Sequence, residues 1–361
     1  MSNDEATVTT TPSSSVTTTT TADSLEKIQS AFQSLSTIIP TLSSSSNNPL
    51  SLLLDHSIYS HISSLLRDPN SGSGDNNLCR WLYDTIQSGV PDLHLLVLRF
   101  LPVIAGVYLS RIPCRKPQAG FEAVLLALYA HETTARAGQA VTVSVPDLSQ
   151  PSVYHESKVV VKNNSTDLNL AVLSPTLEPH GTVRSSRRAR IVGVALELFY
   201  SKISQIPIEP KIDFCEFCKI WAGQDGDMYK NFEEEEEGVN GEGAAEEEGG
   251  LKEGGGDEVL ETEEEKSERK KIEGRVPLPW ELLQPVLRIL AHCLLGPNNK
   301  DKVLFEAANE ACRCLFARAM HDVNAKAILP TRSLLRLSKS VVGNVNDVDP
   351  TELPISNVIS L

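Results

Sequence analysis

The sequence predicts a mostly α-helical protein: an irregular multi-helix domain with one small β element, interrupted by a long disordered acidic loop. Three observations carry this prediction. Apolar residues recur at helical spacing through most of the chain. One short stretch, Val141–Val145, alternates apolar and polar residues with period two instead. Residues 233–265 hold sixteen Glu or Asp against one Lys, a local charge of −15. The whole 361-residue chain carries −14, so −14 less −15 leaves about +1 for everything else. The acidity belongs to one insert, and the folded part is near neutral.

Residues 1–22 are dominated by Ser, Thr, Ala and Val around Asp4 and Glu5. They bury too little apolar surface to offset the entropy of ordering and read as a disordered tail. They hold no Arg or Lys and no apolar core, so neither a transit nor a secretory leader is expected. A helical domain then occupies 23–224 and 276–342, split by the disordered insert 225–275. Residues 343–361 read as a flexible tail.

The first helix is expected over Ser24–Ile39, capped by Asp23 or Ser24. Leu50–Leu66 has helical spacing, and Asp68–Asn77 is a turn cluster rich in Pro, Gly, Ser and Asn. Leu78–Ile86 is a short helix ended by Gly89 and Pro91. Asp92–Leu109 is the most buried-looking helix, kinked or split at Pro102, and Leu93–Leu109 within it is the most apolar run. It contains His94, Arg99 and Pro102 and falls short of about 20 clean apolar residues, so no transmembrane segment is expected. Phe121–Ala135 is the next helix. The strand Val141–Val145 follows, with Val159–Val161 as a possible hairpin partner.

Arg184–Gln205 is amphipathic, with Ile191, Val194, Ala195, Leu198, Phe199 and Ile203 in one stripe. Lys211–Trp221 is helical too. After the insert come Trp280–Leu295, stopped by Gly296–Pro297, and Lys302–Met320, with a last turn at Leu334–Leu337. The leucines 282, 283, 287 and 290 beside Trp280 suit either core packing or an obligate partner's face.

The chemistry-bearing motifs are sparse. No phosphate loop of the G-x-x-x-x-G-K-[ST] or G-x-G-x-x-G kind occurs, nor a kinase signature. His131–Glu132 and His155–Glu156 lack the second His that an H-E-x-x-H zinc site needs. Cys215-x-x-Cys218 with Cys312-x-Cys314 has metal-like spacing, but both pairs lie inside helical patterns. There Cys acts as a small apolar residue. Cys218 with His292 or His321 is the remaining scattered enzyme-like set. Seven cysteines without a dense framework point to a reducing compartment. No catalytic residues, no metal and no cofactor are expected, and the chain is read as not an enzyme.

The basic cluster Arg184, Arg187, Arg188 and Arg190 opens an amphipathic helix. Positive charge there opposes the helix dipole, at about 0.3–1 kcal/mol per charge. An anionic partner would offset this, so these arginines are candidate partner or anion contacts. No aromatic platform accompanies them, and nucleic acid is not expected.

The stretch Val141–Glu156, reading VTVSVPDLSQPSVYHE, is the most distinctive. A period-two run leads into a corner fixed by Pro146 and Pro151. Tyr154 and His155 in that corner are candidate hydrogen-bonding struts or partner contacts. This region resembles the hyccin family. The similarity lies in Phe121–Glu122–Ala123, Val143–Val145–Pro146–Leu148 and above all Pro151–Ser152–Val153–Tyr154–His155–Glu156. It continues through Arg184–Tyr200 and Asp213–Trp221 and resumes after Pro277. The acidic insert and Ser/Thr-rich start resemble a plant-type member.

The resemblance implies a non-catalytic helical subunit of the type III alpha phosphatidylinositol 4-kinase complex. It implies binding to a tetratricopeptide-repeat scaffold protein of the seven type, which holds the kinase. A lipid-anchored tether would bring the assembly to the plasma membrane. The chain is then expected in the cytoplasm and, through its partners, on the cytosolic face of that membrane. The alternative is a helical adaptor in membrane traffic unrelated to the kinase.

Overall fold

The computed structural model describes residues 16–40, 55–113, 118–146, 168–179, 187–229, 276–296 and 301–343. Among these residues are ten α-helices and one two-stranded antiparallel sheet. The first helices are α1 (Val16–Ile38), α2 (His56–Arg67), α3 (Asn77–Gln87), α4 (Pro91–Arg111) and α5 (Ala119–Ala135). Strands β1 (Val141–Pro146) and β2 (Leu168–Ser174) follow, then α6 (Arg188–Ser201) and α7 (Ile208–Ala222). The insert separates these from α8 (Trp280–Leu295), α9 (Lys302–His321) and α10 (Ala325–Gly343).

Local chemistry sets the helix starts. The Asp55 carboxylate accepts from the Ser57 amide at 2.9 Å and the Asn76 amide oxygen from the Cys79 amide at 3.0 Å. Asp301 accepts from the Leu304 amide at 2.9 Å, so α2, α3 and α9 each begin on an N-cap side chain. α7 ends on Gly223, whose φ of 59° is left-handed. Its last carbonyls are covered by another helix: Arg318 of α9 donates to Trp221 O at 3.3 Å and Ala222 O at 3.1 Å.

α4 is the centre of the molecule. Every residue from Leu96 to Leu109 is buried, because a helix apolar on all sides must be enclosed. α2, α3, α6 and α7 pack around it. By length and composition α4 suffices to cross a membrane, but 83% of its most apolar window is buried inside the protein. It is therefore the core helix of a helical bundle. Each of its leucines contributes about 1.5–3 kcal/mol on full burial.

The two parts of the chain flanking the insert share one core. α8 lies on α6, α9 on α7, and α10 closes over α8 and α9. Two crossings depend on glycine. A Cβ on Gly106 of α4 would lie 2.1 Å from the Phe217 ring of α7, and one on Gly193 of α6 would lie 2.4 Å from Glu281 O. Polar ties reinforce the apolar contacts. Tyr59 of α2 donates to Asp213 of α7 at 2.6 Å, and Arg67 reaches the other carboxylate oxygen at 2.6 Å.

Several expectations are corrected. α1 begins at Val16, inside the stretch read as a tail, so neither Asp23 nor Ser24 caps it. Asp23 instead pairs with Lys27 one turn on, at 2.9 Å. α4 does not split at Pro102, because tertiary burial on every side holds it together. β1 pairs with Leu168–Ser174, Val143 opposite Ala171 and Ser144 opposite Leu170. Val159–Val161 lies outside the described residues. The amphipathic helix starts at Arg188, four residues late, and its end separates as a 3₁₀ turn at Ile203–Gln205.

Residues Gly226–Tyr229, assigned to the insert, form a 3₁₀ turn packed on α9. The single last turn is a whole helix, α10. The rest of the insert, 230–275, and both tails beyond 16 and 343 lie outside the described residues.

Candidate interaction surface

The basic cluster is taken apart by the fold. Arg190 is buried and donates to Pro175 O at 2.9 Å, so it secures the segment after β2. Positions 188 and 190 point about 200° apart on a helix, which sends the two guanidiniums to opposite sides. Arg187 is exposed and paired with Glu178. Arg188 is half-buried, 3.1 Å from the Tyr108 hydroxyl and 3.8 Å from Glu122. Tyr108 donates to Glu122 at 3.0 Å. Burial, followed by that carboxylate, raises the Tyr108 pKa, so the phenol stays protonated and donates. Arg184, Tyr154 and His155 lie outside the described residues, as does the Pro151–Glu156 corner.

A cleft of about 110 Å³ opens beside Arg187, lined by Tyr129, Thr176, Glu178, Arg190 and Glu281. Its cations already face Glu178 and a backbone carbonyl, while Tyr129 donates to Glu178 O at 3.2 Å. The cleft is an internally satisfied polar joint among α5, α6 and the start of α8.

The larger concavity was not read from the sequence. A groove of about 770 Å³ runs between α3 and α5, lined by Tyr83, Ile86, Ala123, Leu126, Ala130 and His131 among others. Ala123, Ala127 and Ala130 recur at i, i+4 and i+7, the stripe that signals it in the sequence. Small side chains lower one wall of the groove, while Tyr83, 39% exposed, stands on the other. This shape admits a helix laid across two helices.

The leucines beside Trp280 are spent inside the molecule. Leu282, Leu283, Leu287 and Leu290 are all buried, leaving Trp280 half-exposed at the start of α8. Two-stranded sheets are marginal on their own, and β1–β2 projects with Leu170 and Val172 exposed.

The cysteines pack in the core. Cys215 and Cys218 of α7, Cys293 of α8, and Cys312 and Cys314 of α9 are all buried. A thiol hydrogen bond with Cys293, then burial, raises the Cys215 pKa; burial chiefly raises that of Cys218. These groups stay as thiols, whereas a nucleophile must be a thiolate. Among the described residues no three His, Cys, Asp or Glu side chains converge to hold a metal ion. His321 is exposed and paired with Asp322, and the completely enclosed Cys218 is no partner for it in a solvent-reached site.

The described residues thus form one buried helical bundle with an open, largely apolar groove between α3 and α5. A family model described as Hyccin matches residues 43–352. The chain belongs to the hyccin family, a family of non-catalytic adaptors.

Proposed function

We propose that this protein is the non-catalytic scaffold subunit of a plasma-membrane phosphatidylinositol 4-kinase complex. It clasps a tetratricopeptide-repeat scaffold of the seven type, which in turn holds the type III alpha kinase. The kinase makes phosphatidylinositol 4-phosphate, and this chain stabilises the assembly and its place at the cytosolic face of the membrane. A lipid-anchored tether contacts the complex indirectly. The observation that carries the reading is membership of the hyccin family across 43–352, which spans α2 to α10.

The groove between α3 and α5 supports it. A tetratricopeptide scaffold presents rows of helices, and an amphipathic helix fits an alanine-floored groove of this kind. Ala123 is exposed at its rim, so Ala123→Arg fills the groove with little effect on the core.

Co-expression with the scaffold and kinase tests the reading. The three chains are expected to purify together, with a higher melting temperature for this chain than it has alone. Ala123→Arg is expected to weaken recovery of the scaffold at least tenfold. Failure of wild-type protein to retain scaffold or kinase refutes the proposal. Retention that is indifferent to Ala123→Arg moves the contact to another face.

A further inference from the structure

We propose that the outward face of α10 docks directly on an anionic lipid bilayer. Leu329 and Leu337 enter the headgroup boundary, and Lys326, Arg336 and Lys339 face lipid phosphates. This gives the chain a membrane contact of its own, beyond the partner-borne localisation proposed above, and it does not depend on that reading.

α10 has two faces of opposite character. Ala327, Thr331, Leu334, Leu335 and Ser338 are buried toward α8 and α9. On the outer arc Leu329 is 70% and Leu337 50% exposed. Lys326, Arg336 and Lys339 are exposed on the same arc, with Arg332 half-buried at its edge. The helix sequence, AKAILPTRSLLRLSKSVVG, contains no Asp or Glu. Asp322, just before it, is already held by Arg318 and His321. Arg332, Arg336 and Lys339 also interact within the chain, so lipid phosphate competes with those contacts and does not fill empty positions.

A second observation lies at the N-terminal end of the helix. Val323 is 82% exposed and has a φ of 49°. The left-handed region strains a β-branched residue, and glycine or asparagine would relieve it. A valine here puts an apolar side chain into water at a backbone cost. The turn is the cap that ends α9, with Val323 N–H donating to Met320 O at 3.1 Å and Asn324 N–H to Ala319 O at 2.9 Å, and it holds this apolar side chain in water beside the outer arc of α10.

The combination selects a bilayer over an acidic protein segment. Long basic side chains extend their stems along apolar surface while their charges reach phosphates, and isolated leucines between them enter the acyl boundary. An acidic segment would use the charges but leave both leucines in water. Each basic residue adds modestly, so the contact is reversible and salt-sensitive.

Flotation of the full chain with lipid vesicles tests this. Binding is expected to vesicles containing phosphatidylserine, to fall with salt, and to be absent with phosphatidylcholine alone. Arg336→Glu/Lys339→Glu is expected to cut the bound fraction about fivefold or more per charge. Leu329→Ser/Leu337→Ser is expected to abolish the binding that survives high salt. All these positions are exposed, and an unchanged melting temperature shows that the variants fold. The proposal fails if wild-type protein does not float. It fails equally if Arg80→Glu, at an exposed position of α3, reduces binding as much, since the attraction is then non-specific. Capture by polyglutamate without flotation would assign the face to an acidic protein.

Discussion

Gly106 of α4 lies directly beneath the ring of Phe217 of α7, so closely that a Cβ would sit 2.1 Å from it. Phe217 is buried, and its ring is also covered by the Arg67 guanidinium at 5.6 Å. The close atoms belong to the root of the ring and not to the far end of a flexible side chain. Gly106→Ala is therefore expected to destabilise the fold by about 1–3 kcal/mol, although alanine favours helices in isolation. Urea denaturation measures it. Gly106→Ala with Phe217→Leu should recover part of the loss, and no recovery would show that the crossing is not the cause.

Asp213 holds two donors from α2, Tyr59 and Arg67. Removing the acceptor leaves a largely buried phenol without its partner, whereas Tyr59→Phe removes donor and need together. Asp213→Ala is expected to cost about 1–3 kcal/mol and Tyr59→Phe about 0.5–1.5. A double-mutant cycle should give a clear coupling energy, and additive losses would separate the residues.

His94 supplies a pH dependence. Burial, with His131 and Lys202 nearby, lowers its pKa from 6.5 to about 4. Its ring lies 4.2 Å from that of His131, and its Nε2 is enclosed without a hydrogen-bond partner. Between those two values the unfolded chain takes up a proton that the native state refuses. Stability from this group is thus complete above about pH 6.5 and falls as pH drops toward 4. Denaturation midpoints across this range should fall less steeply in His94→Leu. An unchanged slope would assign the dependence to other groups.

The buried cysteines predict slow thiol labelling. Burial raises the Cys79 pKa to about 11, and Cys215, Cys218 and Cys314 are raised too. Under native conditions these positions should react with an aromatic disulfide only at the rate of unfolding, and within seconds in denaturant. Mass spectrometry of the labelled peptides locates the sites. Rapid native labelling of Cys218 would reopen nucleophilic chemistry there.

Most helices were legible because their apolar stripes match what the fold buries. Ile191, Val194, Ala195, Leu198, Phe199 and Ile203 form the predicted stripe, and all are buried. α10 escaped because Pro330 reads as a helix breaker in the sequence, although the helix runs through it, and because its leucines point both ways. The Thr331 hydroxyl donates to Ala327 O at 2.7 Å beside that proline. β2 escaped because Ala171 and Leu173 blur its alternation, while the β-branched run at 159–161 is the stronger local signal. Arg190 looked like a surface cation because local sequence does not reveal that Pro175 O waits on the inner side. The α3–α5 groove joins two separate helices, and only tertiary packing creates it.

The enclosure of α4 has a consequence for the protein's life in the cell. During synthesis the ribosome releases this 21-residue apolar helix before any of α6 to α10 exists. Until α6 and α7 arrive, nascent chains expose a segment that insertion machinery and chaperones both recognise. α6 and α7, which cover α4, pack in turn on α8 and α9, and these lie beyond an acidic insert that must be translated first. Truncation within that insert would therefore yield a quality-control substrate and not a smaller working adaptor.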